Sequence, residues 1–127
     1  MIGQKGYPPV HGGIEKHVAE LAARIVHFNG NQYDALRLTG PATIDECSFS
    51  EIESTAINYT WNSQPFAIRR SLFRDVRNVA IQGWADGAGP TGTLIERNLF
   101  DWNRHSIAAT GRPGSGYEAC HNVERGT

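Results

Sequence analysis

Apolar and polar positions follow two different rhythms along this chain. In residues 12–28, GGIEKHVAELAARIVHF, apolar Ile14, Val18, Leu21, Ala22 and Ile25 recur at the spacing of one helical face. Glu15, Lys16, Glu20 and Arg24 fall mostly on the other side, and Glu20 precedes Arg24 by four, the favourable order for a helical ion pair. Gly12-Gly13 offers a turn with free N–H groups at the helix start, and Gly30, between Asn29 and Asn31, offers a stop. The pattern predicts one amphipathic α-helix over 12–28. Beyond Asn31 this periodicity ends. Short apolar stretches rich in β-branched residues alternate with Gly, Asn, Ser and Pro, which predicts short strands and tight corners. The expected organisation is a helical segment over 1–30 and a β region over 31–127.

The β region repeats itself. Phe49, Phe73 and Phe100 anchor three units. Five residues before each stands Ile44, Ile68 or Ile95, and two before stands Cys47, Ser71 or Asn98. Three after come Ile52, Val76 and Asn103. Seven after come Ala56, Ala80 and Ile107, and eight after come Ile57, Ile81 and Ala108. Ala119 and Asn122 begin a fourth unit. The first two phenylalanines are 24 apart and the next two 27, with the added residues falling in the glycine-rich stretch from Gly83 to Gly92. A period near 24 with no helix inside the unit predicts a parallel β-solenoid of about 3–4 coils, incomplete at its C-terminal end. Equivalent positions would stack about 4.8 Å apart. Phe and Ile would then form inward ladders, and asparagines would bond the backbone of the neighbouring coil. Asp45, Arg69 and Glu96 would alternate in sign, worth about 0.2–1 kcal/mol per pair. An antiparallel sandwich is the competing architecture, but it does not require the same residue types in the same columns. A leucine-rich repeat would need a leucine-asparagine signature that this chain lacks.

The repeated Ile-x-x-(Cys/Ser/Asn)-x-Phe pattern over about residues 34–124 resembles the right-handed parallel β-helix superfamily of pectate-lyase-like proteins. The resemblance implies a mainly β, right-handed solenoid with an N-terminal helix capping its first coil, and a role in binding or cleaving polysaccharide, by lyase or glycoside hydrolase chemistry. Most members are extracellular. Residues 1–25 are similar to the start of family 4 glycosyltransferases: a strand around Ile2, the Gly12-Gly13 turn, then a helix bearing Glu15, His17, Val18 and Leu21. In that family the Gly-Gly turn lies near a nucleotide-sugar diphosphate, which would give Gly12 and Gly13 a donor-binding role and imply a cytoplasmic setting. A complete two-domain enzyme of that type does not fit in 127 residues, so on this likeness the head is a remnant. A non-catalytic repeat or adhesion module is the third possibility.

Composition narrows the candidate chemistry. Twelve basic and thirteen acidic residues give a net charge of −1, with ten arginines and two lysines. That balance does not favour nucleic acid as a partner. No apolar run has the roughly 20 residues of a membrane span. Two cysteines make neither a disulfide framework nor a zinc site, and the histidines have no metal-binding spacing, so neither metal nor cofactor is expected. The expected partner is a carbohydrate polymer. Trp61, Trp84, Tyr59 and Tyr117 are candidates for stacking on sugar rings. Arg70 and Arg97 share a column with Glu46 and His121 and could bind an acidic sugar. Asp75 and Asp101 fall in adjacent columns and are the candidate hydrolytic carboxylates. Solenoids need capping units, so an uncapped C-terminal coil is expected to self-associate.

Overall fold

The computed structural model describes residues 16–18, 21–24, 26–39, 41–60, 66–85, 93–111 and 117–126. They form short parallel strands, three to a rung. The first rung is β1 (Lys16–Val18), β2 (Leu21–Arg24) and β3 (His27–Asn29). The second is β4 (Leu36–Leu38), β5 (Ala42–Asp45) and β6 (Ser48–Ile52), and the third is β7 (Ile57–Thr60), β8 (Phe66–Arg69) and β9 (Leu72–Val76). Then come β10 (Val79–Ala85), β11 (Thr93–Glu96) and β12 (Leu99–Asp101), followed by β13 (His105–Gly111), β14 (Tyr117–Cys120) and β15 (Val123–Arg125). Every third strand pairs in parallel, giving three sheets ordered β1-β4-β7-β10-β13, β2-β5-β8-β11-β14 and β3-β6-β9-β12-β15. The chain is a parallel β-solenoid, mainly β, as the repeat predicts.

Alternation in and out along each strand puts one residue type in each stacked column. Ile44, Ile68 and Ile95 are in register and fully buried. Phe28, Phe49, Phe73 and Phe100 are likewise in register, with ring centroids 4.8, 4.9 and 5.2 Å apart in near-parallel stacks. These distances follow from the rung spacing, so offset ring stacking is available at no conformational cost. The polar column behaves as its residue types require. Ser71 Oγ accepts from Cys47 N–H at 3.1 Å, Asn98 Oδ1 from Ser71 N–H at 3.0 Å, and Asn122 Oδ1 from Asn98 N–H at 3.0 Å. Asn98 Nδ2 and Asn122 Nδ2 donate to the carbonyls of Ile68 and Ile95, each at 3.0 Å. Asn103 does the same at the next corner, accepting from Val76 N–H and donating to Phe73 C=O. Each side chain satisfies backbone groups that the corner takes out of the ladder.

Two expectations need correction. First, no α-helix lies among the described residues between 12 and 28, so the helix expected there is not confirmed; Lys16–Val18, Leu21–Arg24 and His27–Asn29 are strands. Ala23 pairs with Ile44 and Phe28 with Phe49, so this segment is a rung of the same three sheets. Burial of Val26 and Phe28 in the common core and pairing along β4 to β6 outweigh a helical pattern only a few turns long. The Gly12-Gly13 turn lies outside the described residues. Second, Ile81 pairs with Ile107, and Ala108 pairs with Gln82. The repeat spacing sets Ile107 beside Ala80, one residue out. The corner between Asn103 and β13 is one residue shorter than its counterparts, which keeps a large apolar side chain facing inward.

Candidate functional site

The strands turn through two ladders of left-handed residues. One contains Glu46, Arg70, Arg97 and His121, with φ between 48° and 55°. The other contains Gly30, Glu51, Asp75, Trp102 and Gly126, with φ between 53° and 73°. Non-glycine residues adopt this conformation at some cost. Here it is offset where the corner N–H reaches the next rung, as from Glu46 to Arg69 C=O at 3.3 Å and from Trp102 to Arg125 C=O at 2.9 Å. The conformation makes sharp corners with outward side chains, so each ladder presents a column of functional groups along the solenoid axis.

At the first corner, one arginine of the expected strip, Arg70, is paired with carboxylates. Arg70 donates Nε–H to Asp45 Oδ1 at 2.8 Å, its Nη2 also contacts Asp45, and it lies 3.9 Å from Glu46. Asp45 is flanked by Arg69 as well, at 3.7 Å, in the alternating column read from the sequence. Arg97 and His121 occupy the following positions of the same ladder.

The second corner carries a surface groove of 640 Å³ lined by Gly30, Gln32, Glu51, Glu53, Asp75 and Arg77. Its lining is periodic because it spans three rungs. Glu51 and Asp75 lie between the paired positions Ser50–Arg74 and Ile52–Val76, and are therefore at the same level of adjacent strands. Arg77 lies 3.1 Å from Glu53. The next residue of the ladder is Trp102, 66% exposed. Its indole rests on Gly126, where an added Cβ would lie 2.5 Å from the ring, so only glycine lets the ring lie flat there. Tyr33, 63% exposed, follows Gln32 at the other end.

The structure separates the two aspartates proposed from sequence. Asp75 faces the groove, whereas Asp101 is buried with both oxygens engaged: Arg74 Nε–H donates to it at 2.9 Å, and Arg125 reaches it through two nitrogens at 2.9 and 3.2 Å. The hydrogen bond from Arg125, reinforced by Arg74, holds the Asp101 carboxyl below its ordinary value. Asp34 is similarly enclosed. Burial pushes its carboxyl up, but hydrogen bonds from Ser54, Asn58, Arg37 and Thr55 outweigh it and the net shift is downward. A carboxylate depressed on folding stabilises the fold above its unfolded value, about 3.9, and that contribution is lost as pH falls through the folded value. Thermal melting followed from neutral to acidic pH should therefore show an acid limb. Asp101→Asn should be less stable at neutral pH and should show a shallower limb. An unchanged limb would count against the Arg–Asp–Arg pairing as a source of stability.

The aromatic candidates also divide. Tyr59 is buried at 2% exposure under Gly83 of the next rung, and burial pushes its phenol up, so it presents no face to a ligand. Tyr117 is 39% exposed on β14. Trp84 stands on β10 at the level of Thr60 and Thr110, and Trp61 lies outside the described residues. Trp102, Tyr33 and Glu53 are not among the sequence candidates, and Glu51 and Arg77 enter the sequence reading only as part of a charged cluster with Arg69, Arg70 and Arg74. The signal was present: Glu51, Asp75 and Trp102 each stand two residues after a ladder phenylalanine. Among the described residues no group of three or more His, Cys, Asp or Glu is placed to hold a metal ion. No family model, no curated protein and no solved structure matches this chain. The pectate-lyase-like and glycosyltransferase resemblances gain no support from these comparisons. What the fold defines is a class, the parallel β-solenoids.

Proposed function

We propose that this solenoid binds a polysaccharide lengthwise along its second corner. The observation that carries the reading is the groove continued by Trp102: an extended polar trough across three rungs, followed on the same ladder by an exposed indole. Polysaccharide recognition calls for hydroxyl-bonding groups and an aromatic face against the ring C–H groups. Gln32, Glu51, Glu53, Asp75 and Arg77 supply the former, and Trp102 the latter. A linear polymer suits a site whose groups repeat once per rung, about 4.8 Å. The direct test is titration with soluble glycan oligomers, followed by tryptophan fluorescence and calorimetry. Trp102→Ala should weaken binding by roughly 2- to 10-fold. Equal affinity in the variant would show that the polymer does not lie on this corner.

Cleavage is the second reading, favoured by the placement of Glu51 and Asp75 on adjacent rungs. Their backbones are separated by about 4.8 Å, and glycoside hydrolysis uses carboxyl groups roughly 5–10 Å apart. New reducing ends during the same titration, lost in Asp75→Asn, would mark an enzyme. Binding without new ends would leave a binding module.

A further inference from the structure

We infer that the groove selects a cationic amino-sugar polymer over neutral and uronate polymers, a deepening that rests on the polysaccharide reading above. The two corner ladders differ in charge. At the first, Arg70 is held by Asp45 and Glu46, and Arg97 and His121 follow on the same ladder, so the charges there are of both signs. At the second, three carboxylates face one guanidinium, and that guanidinium, on Arg77, is already bonded to Glu53. Glu51 and Asp75 form no ion pair among the described residues. The arginines nearest in sequence are committed elsewhere: Arg74 to Asp101 at 2.9 Å and Arg37 to Asp34 at 3.1 Å. Among the described residues, the trough is therefore a negative surface in which Arg77 offsets Glu53 and no ion pair offsets Glu51 or Asp75.

A uronate chain would meet like charge at the two rungs that carry Glu51 and Asp75. A neutral chain would leave the carboxylates with only hydroxyl donors. A protonated glucosamine chain would place ammonium groups against Glu51 and Asp75, one rung apart. The Trp102 ring at the end of the trough accepts both a sugar C–H face and a cation. The pairs are exposed, so each adds modest energy and each is screened by salt.

The test compares soluble oligomers of glucosamine, glucose and galacturonate with the full chain at mildly acidic pH, where the sugar amine is charged. The expected order is glucosamine over glucose by roughly 3- to 10-fold at low salt, with galacturonate weakest. The preference should shrink as salt is added. In the double variant Glu51→Gln with Asp75→Asn, the glucosamine-to-glucose ratio should fall towards one. Circular dichroism of the variant checks that it is folded, and single variants at the two positions should each give part of the effect. Equal binding of glucosamine and glucose, with Trp102 still required, would overturn this inference and leave the polysaccharide reading standing. Preference for galacturonate would overturn it as well. No binding of any oligomer would overturn both.

Discussion

Phe73→Ala is expected to lower the unfolding free energy by about 3–5 kcal/mol, as large a loss as a single truncation in this core should give. Phe73 is fully buried and is stacked on both sides, at 4.9 Å from Phe49 and 5.2 Å from Phe100. Truncation removes two ring contacts and opens a cavity in the middle of the ladder. A solenoid relaxes poorly around such a void, because the rungs above and below are fixed by backbone pairing. Urea denaturation followed by circular dichroism measures the effect. Since each rung contacts only its neighbours, the transition should also lose cooperativity. A loss below about 1 kcal/mol would mean that the ladder collapses readily and contributes little.

Gly83→Ala is expected to destabilise the fold by about 1–3 kcal/mol. A Cβ at this position would lie 2.4 Å from both Cζ and Oη of Tyr59 and 2.7 Å from Cε2. Tyr59 is buried and stands opposite Gly83 on the adjacent strand, so its ring has no room to withdraw. The cause can be isolated with a double-mutant cycle. Tyr59→Leu shortens the obstructing side chain, so adding Gly83→Ala in that background should cost much less than in the parent. Equal costs in both backgrounds would place the effect in the strand backbone instead of the contact.

The sequence carried the architecture further than it carried the site. Columns headed by Phe49, Phe73 and Phe100 are legible because a parallel stack requires equivalent residues every rung. Asn98 and Asn122 are legible for a related reason, since a corner that breaks the backbone ladder needs a side chain able both to donate and to accept. The first rung was hidden because it is shorter. Phe28 precedes Phe49 by 21 residues instead of 24, though Ala23 keeps the five-residue spacing seen before the other phenylalanines. Its apolar residues also fit a helix, and local periodicity alone cannot choose between helix and strand over so few residues. The register at Ile107 depended on a single deleted corner residue, which only pairing with Ile81 reveals.

Repeat length, apolar columns and the polar ladder were thus determined by the sequence itself, because each depends on residue type at a fixed interval. The tertiary structure decided what the charged residues do. Arg70, Asp101 and Asp75 are equivalent as exposed charges in a linear reading. Stacking binds Arg70 to Asp45, seals Asp101 between Arg74 and Arg125, and leaves Asp75 beside Glu51 in the groove. Those partners are about one rung away in space and some 24–27 residues away along the chain. Asp101, Arg74 and Arg125 meet because they are in register on adjacent strands, and Arg70, Glu51 and Asp75 take their places from the left-handed corners, both set by the folded backbone.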